Sequence, residues 1–448
     1  MADEKQRVDF MKACLTKLGL EVSRETEAVP SLSRLHLSSS KSSDVAELLQ
    51  SWTDAGLLTR DEHGRETIKG ENDTFIIQEE GRFDLDRVKD ALPSTSSDSE
   101  QQNGDEGKPS TNSRSSNSPE LLDYNSVRKT ILTHESCHPD GKSTPYFNHH
   151  AYYANLKHYH TTLSPGLPQA FGRHLLYGEV VTSTQSMLEK NPSFLSQLPD
   201  GFTATATTQV AGRGRGTNVW VSPPGTLAFS TVLKHGLALS ATAPVVFIQY
   251  LAALAIVSGV QEYDKGGYDR IPVKLKWPND IYALDPKSPT SGPDKKYVKI
   301  GGILVNSSYS GSDYTLVLGI GLNVTNLAGP TTSLAHLAKK LALPAFTLEK
   351  LLASILSHFE ALHARFVRTG WDREFEARYY RHWLHTDQIV TLETEGGVRA
   401  RIKGITRDWG LLVAEELGWE DRATGRKWEL QSDSNSFDFF KGLLKRKV

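Results

Sequence analysis

Cysteine is nearly missing from this chain of 448 residues: only Cys14 and Cys137 occur. Two thiols exclude a disulfide framework and suit a reducing compartment. Long apolar runs are also lacking. The longest, 245–257 (VVFIQYLAALAIV), is too short to span a bilayer and includes Gln249, so it reads as a buried helix. The N-terminus, MADEKQRVDF, mixes acidic and basic residues and has no signal-peptide core or transit-peptide character; a cytoplasmic address and no membrane association are expected. An excess of charge of one sign is absent too. Lys and Arg number 51 against 53 Asp and Glu, a formal net charge of −2, which gives no overall pull toward nucleic acid.

The length exceeds that of a usual single core, so several domains are expected. Residues 1–94 read as a small N-terminal module, 95–120 as a disordered linker, 121–169 as a connector, 170–384 as the main body and 385–448 as a small C-terminal β-domain. In the first module, 44–58 carries Val45, Leu48, Leu49, Trp52 and Leu57 at helical spacing, and 66–78 reads as short extended pieces. A helix followed by a hairpin is also the outline of a winged-helix DNA reader. Asp61, Glu62, Glu66, Glu71, Asp73, Glu79, Glu80 and Asp84 would repel phosphates, so no nucleic-acid partner is expected. The stretch 93–120 has too few apolar residues to offset the entropy of ordering. His138, His149, His150, His158 and His160 fall close together but match no metal-ligand spacing, which favours an aromatic, histidine-rich connector packed on the main body. The run His134–His138 holds a Cys–His neighbour pair, and sequence neighbours rarely have the geometry of a nucleophile and its base.

From 170 onward the pattern is mixed. Strands are expected at 203–208, 228–234, 273–277, 301–307 and 315–324, and a helix at 244–258. Residues 285–296 read as a surface excursion. A long amphipathic helix is expected over 348–366, with helix continuing over 371–383. After Gln388 the period changes to two, with turns at Gly396-Gly397 and 408–410, which predicts a small SH3-like barrel.

The chemistry-bearing residues begin with Gly212-Arg213-Gly214-Arg215-Gly216, closed by Trp220. Glycine lets the backbone approach a ligand, and arginine offers a charged fork that fits phosphate and carboxylate oxygens. No Gly-Lys-Ser/Thr follows, so this is not a Walker loop. A solvated RGG-like turn is the plain alternative, and apolar segments on both sides argue against it. Other blocks stand in order around it: Thr182-Ser183-Thr184-Gln185, Gln209, Lys276-Trp277-Pro278-Asn279-Asp280, 299–305 (KIGGILV) and Gly319-Ile320-Gly321-Leu322-Asn323. Each also has a structural reading, as a helix N-cap, a strand ending in a turn or a bulged strand.

Taken together, these blocks resemble the catalytic domain of the biotin protein ligases (holocarboxylase synthetases) of eukaryotic, fungal type. The resemblance covers roughly residues 170–445, with weaker likeness before that. It departs from common bacterial forms at Gly216, where a further arginine often stands, and at Thr217. It implies an α+β fold: a biotin/lipoate-ligase-like domain with a mixed sheet and packed helices, then the SH3-like barrel. It implies an ATP-dependent ligase that makes biotinyl-5′-AMP with Mg²⁺ and passes biotin to a lysine of biotin carboxyl carrier domains, acting as a monomer. Residue by residue, Ser183, Thr184, Gln185, Gln209, Gly212, Arg213, Gly214, Arg215 and Lys276 match the biotin pocket. Arg215, Trp220, Asn279, Asp280, Lys299, Gly302 and Asn323 match the ATP site. Lys276, Arg213 and Arg215 are the catalytic candidates. No metal ligand is firmly assigned; Asp280 is the candidate for Mg²⁺ or for orienting the incoming amine. Fungal and animal ligases of this kind carry a longer N-terminal region, of which residues 1–94 would be the tail.

Two rival readings fit parts of the pattern. A lipoate or octanoyl ligase or transferase would share the fold but lack the Gly/Arg loop. A metabolite-sensing transcriptional repressor would need a basic reading helix, which the acidic N-terminal module does not offer.

Overall fold

The computed structural model describes residues 32–80, 127–216, 218–289, 292, 295–310, 313–326, 331–432, 435–438 and 443–446. The expected linker at 95–120 and Cys14 lie outside the described residues.

One mixed sheet organises most of the chain. Its strands are β1 (Leu35–Ser39), β2 (Leu58–Arg60), β3 (Glu66–Lys69), β4 (Thr74–Glu79), β5 (Lys129–Thr133), β6 (His174–Val181), β7 (Thr203–Gln209), β8 (Thr226–Gly236), β9 (Val273–Lys276), β10 (Asp280–Leu284), β11 (Tyr297–Ser310) and β12 (Asp313–Asn323). Their spatial order is β2-β3-β4-β5-β1-β6-β7-β8-β12-β11-β10-β9. β1 lies between β5, which it meets in parallel, and β6, which it meets antiparallel. A single sheet therefore runs through the segment read as an N-terminal module, through the connector and into the main body.

Alternation along the strands gives the sheet two apolar faces. On β6, Leu175 and Tyr177 join one core while Leu176 joins the other. The larger core lies under α2 (His149–Leu163), α5 (Ile248–Gln261) and α7 (Leu348–Thr369). α5 is apolar on all sides because it is buried on all sides, as expected of a helix with sheet on one flank and α7 on the other. α7 carries its stripe on Leu351, Leu352, Ile355, Phe359, Leu362 and Phe366, and Thr347 caps its start. Helix does not continue unbroken from there. α7 stops at Gly370, and α8 (Arg373–His382) begins anew where the Asp372 carboxylate accepts from the amides of Glu374 and Phe375, both at 2.9 Å. The second core lies under α1 (Ser43–Asp54), α3 (Thr184–Glu189) and α4 (Pro192–Ser196). A short helix, α6 (Leu334–Lys340), follows β12.

After α8, six strands form a second sheet: β13 (Ile389–Leu392), β14 (Val398–Ile405), β15 (Leu412–Leu417), β16 (Ala423–Leu430), β17 (Asn435–Asp438) and β18 (Leu443–Arg446). Their order is β16-β15-β14-β13-β18-β17, consistent with a small barrel.

Three of the five clustered histidines make packing contacts, while His150 and His158 are exposed. His149 packs on Ser38 (3.2 Å), His160 on Glu360 (3.1 Å), and His138 reaches the Ser39 carbonyl (3.0 Å). Among the described residues no group of His, Cys, Asp or Glu is arranged to hold a metal ion.

The join between the first strands and the main body contains a buried ion pair, Lys129 with Asp73. Asn191 completes it, donating to Asp73 (2.8 Å) and accepting from the Asp73 amide (2.8 Å). Asp73→Ala would strand the Lys129 ammonium in the core. We expect a loss of about 3–5 kcal/mol in denaturant unfolding.

Burial also holds several histidines neutral. His36, His134, His363, His382 and His385 are each pushed down from 6.5 to about 4. Between these values the unfolded chain binds protons that the folded chain does not, so stability rises with pH across that window. Thermal melts are expected to be flat above about pH 6.5 and to fall steadily from there toward about pH 4.

Candidate active site

The site begins with an absence of side chains. Register places Ser230, Gly319 and Leu304 in one row across β8, β12 and β11, and Ala228, Gly321 and Gly302 in another. Small residues in these rows leave the sheet floor open, and a cavity of about 470 Å³ lies above it. The floor is fitted closely. A Cβ on Gly319 would lie 2.3 Å from Gln185 Oε1, and one on Gly321 would lie 2.5 Å from Trp220 Nε1.

One end of the cavity is neutral and rich in hydrogen-bonding groups. Ser183 caps α3, its hydroxyl accepting from the Ser186 amide (3.3 Å), so the cap reading and the pocket reading are both met. Gln209 Oε1 accepts from the Thr184 amide (2.8 Å) and hydroxyl (3.2 Å), and Gln209 Nε2 donates to the Ser222 hydroxyl (2.9 Å). The Thr184 and Ser230 hydroxyls are 2.9 Å apart. Gln185 Nε2 donates to the Val317 carbonyl (3.0 Å). Among the described residues, Gln185 Oε1 and Trp220 Nε1 are buried with no hydrogen-bond partner. A buried orphan acceptor and donor on cavity walls are costly unless a ligand answers them.

The Gly/Arg loop is a narrow hairpin over this cavity. The amides of Val210 and Ala211 donate to the carbonyls of Val181 (3.0 Å) and Thr182 (2.9 Å), extending the β6–β7 pairing. Across the hairpin, Trp220 N donates to Gly212 O (2.8 Å) and Gly214 N to Asn218 O (2.9 Å). Gly212 is where the two arms meet, and it does not line the cavity. Arg213 Nη1 pairs with Glu189, and Arg215 Nη2 donates to the Ser432 hydroxyl (3.0 Å), just beyond β16.

The opposite wall is cationic. Lys276 ends β9 and faces Asp280, which begins β10. Lys299 Nζ is 2.7 Å from Asp280 Oδ1, and Lys276 Nζ is 3.7 Å from Oδ2. Lys299 Nζ also lies 5.5 Å from the Trp220 ring centre. Asn279 Nδ2 donates to the Ile303 carbonyl (2.7 Å), pinning the turn to β11. The same turn is held from behind. Trp277 Nε1 donates to Tyr250 (3.0 Å) and to the Gly410 carbonyl (3.1 Å), and Trp277 N donates to His385 Nε2 (3.0 Å). Burial, aided by the Lys276 charge, lowers His385 to about 4, so the imidazole is a neutral acceptor there.

The structure thus brings Ser183, Thr184, Gln185, Gln209, Arg213, Gly214, Arg215, Trp220, Lys276, Asn279, Asp280, Lys299 and Gly302 around one cavity. Asn323 is not among them. It closes the end of β12, donating to Thr331 (3.1 Å) and to the Thr332 carbonyl (3.4 Å). Sequence reasoning missed Phe229, Ser230 and Ser432, which also line the cavity. Ser230 sits inside an apolar strand, and Ser432 is far from Arg215 in sequence; neither carries a local signal. Glycine alternation at 319 and 321 is the signal that could have located the floor.

The arrangement suits an elongated ligand with a neutral hydrogen-bonding head and an anionic tail. Gly319→Ala would drive the Gln185 amide out of place. With biotin, the ligand that the sequence resemblance implies, as titrant, we expect binding to weaken by about tenfold or more in calorimetry while the melting temperature stays near wild type.

Residues 177–323 match the Biotin/lipoate A/B protein ligase family. The chain is 42% identical over 285 residues to a biotin–protein ligase of Schizosaccharomyces pombe, a match covering 62% of this chain and 44% of that one. It is 35% identical over 286 residues to biotin–protein ligase 1 of Arabidopsis thaliana, covering 62% of this chain and 70% of that one. A solved biotin protein ligase from Aquifex aeolicus, in complex with biotin and ATP, aligns with a TM-score of 0.41 at 23% identity, covering 58% of this chain and 99% of that one. The chain thus spans less than half the length of its fission-yeast relative and more than two thirds of its plant relative. It belongs to the Biotin/lipoate A/B protein ligase family.

Proposed function

We propose that the chain is an ATP-dependent biotin–protein ligase that forms biotinyl-5′-AMP and transfers biotin to a lysine of carboxylase biotin carboxyl carrier domains. One observation carries this reading: two guanidinium and two ammonium groups share a single cavity whose other end is neutral and polar. Similarity to chains named biotin–protein ligase supports it. We place the reaction in the cytoplasm, a reading supported by the low cysteine content; no helix among the described residues is long and apolar enough to cross a membrane.

A carboxylate is a poor electrophile and must be activated. In the proposed first step, a biotin carboxylate oxygen attacks the α-phosphorus of ATP, the bond to the bridging oxygen breaks, and pyrophosphate leaves. Ser183, Thr184, Gln185 and Gln209 hold the ureido head, whose carbonyl and N–H groups would be costly to bury unpaired. Arg213, Arg215 and Lys276 bring two anions together and stabilise charge on the α-phosphoryl oxygens. Trp220, Asn279, Lys299 and Gly302 line the nucleotide side. Asp280 is the acidic residue among the described cavity-lining residues, and its oxygens already face Lys276 and Lys299. It fits a divalent ion only as a single carboxylate beside nucleotide phosphates, a common mode for Mg²⁺, which would offset phosphate charge. In the second step a lysine ε-amine attacks the acyl carbon and AMP leaves. The hairpin over the cavity keeps water from the mixed anhydride until then.

Biotin-dependent exchange between pyrophosphate and ATP tests the reading, with lipoate as the competing acid. Lys276→Ala is expected to lower the exchange rate by about a hundredfold or more. Arg213→Ala is expected to raise the KM for biotin and speed release of the adenylate. Exchange with lipoate but not biotin would move the chain to the sibling activity, and unchanged exchange in both variants would overturn the site assignment.

A further inference from the structure

Glu189 ends α3, one turn after Gln185, and lies behind the cavity wall rather than on it. Its side chain is one-tenth exposed. Three elements meet on this one carboxylate. Oε1 accepts from Arg213 Nη1 on the hairpin, Oε2 accepts from Asn306 Nδ2 on β11, and Oε2 lies 3.5 Å from Gln185 Nε2 on its own helix. The last pairing is the i,i+4 relation that puts two side chains on one helix face.

We propose that Glu189 is a positioning residue that fixes the Gln185 amide with its oxygen toward the ligand and, with the same carboxylate, holds the Arg213 guanidinium at the cavity rim. The inference rests on the reading above and deepens it.

The amide argument is one of donors and acceptors. Gln185 Nε2 has two hydrogens and two acceptors, the Val317 carbonyl at 3.0 Å and Glu189 Oε2. Flipping the amide would set Gln185 Oε1 against a carbonyl and a carboxylate, acceptor facing acceptor. The oxygen is therefore held on the other side, against Gly319, where it is buried with no partner among the described residues. A buried acceptor held this way selects a ligand that brings an N–H donor, which a ureido ring does and an oxygen-substituted ring does not. The guanidinium argument is one of charge. Arg213 shares its cavity with Arg215, Lys276 and Lys299, and a carboxylate from outside the wall offsets that repulsion while fixing the direction of the fork. Glu189 thus sets both the head and the tail contacts of one ligand without touching it.

The test compares wild type with Glu189→Gln and Glu189→Ala, titrated with biotin and with its two carbamate analogues, in each of which oxygen replaces one ureido N–H. Wild type is expected to prefer biotin over one analogue by about tenfold. Both variants are expected to bind biotin about tenfold more weakly and to lose most of that preference, because the amide oxygen is no longer held in place. Glu189→Gln has the same shape, so it decides the matter if the alanine variant does not fold. Variants that keep wild-type affinity, or that weaken biotin and analogue equally, overturn the role assigned to Glu189. A wild-type chain that neither binds nor adenylates biotin overturns the functional reading itself, a result distinct from either.

Discussion

Arg213, Arg215, Lys276 and Lys299 converge on one cavity, and their mutual repulsion is the condition that the surrounding structure has to satisfy. In a partly desolvated pocket such charges repel far more strongly than on a wet surface. Asp280 offsets the two lysines from within and Glu189 offsets Arg213 from behind the wall. What remains is a positive surplus that an anionic ligand can satisfy, held by contacts to several neighbouring elements. The β9–β10 turn is fastened by Trp277 to α5 and to the turn between β14 and β15, and the hairpin is fastened by Arg213 to α3 and by Arg215 to Ser432. Preorganised charge of this kind needs little rearrangement when charge develops in a reaction.

The chain that follows α8 is accordingly part of the site. Ser432 lines the cavity, Gly410 accepts from both Tyr250 and Trp277, and His385 accepts from the amide that follows Lys276. Three contacts from the chain after α8 reach the two cationic elements.

Much of the site was legible in the sequence because its residue types are unusual where they stand. Alternating Gly and Arg between apolar strands, and a lysine at the end of a strand followed by Trp-Pro-Asn-Asp, admit few structural explanations. β7, β8, β9, β11 and β12 and the helix at 348–366 were legible through simple periodicity. What escaped was long-range. Nothing local in 35–39 says that this strand enters between β5 and β6, because pairing partners are set by tertiary fit and not by composition. Asn323 looked like a ligand contact by its place in a motif, yet its amide serves the chain after β12. Ser230 and Ser432 have ordinary neighbours, and only folding brings them to the cavity.

The placement of β1 has a practical consequence. Cutting the chain ahead of β6, at the boundary composition suggests, would strip away the neighbour that pairs with Leu175, Leu176 and Tyr177 and leave a raw, apolar edge. Unprotected edges of this kind recruit other strands. A fragment shortened in this way would therefore tend to stick to itself during purification, and its solubility would say more about the missing strand than about the site it carries.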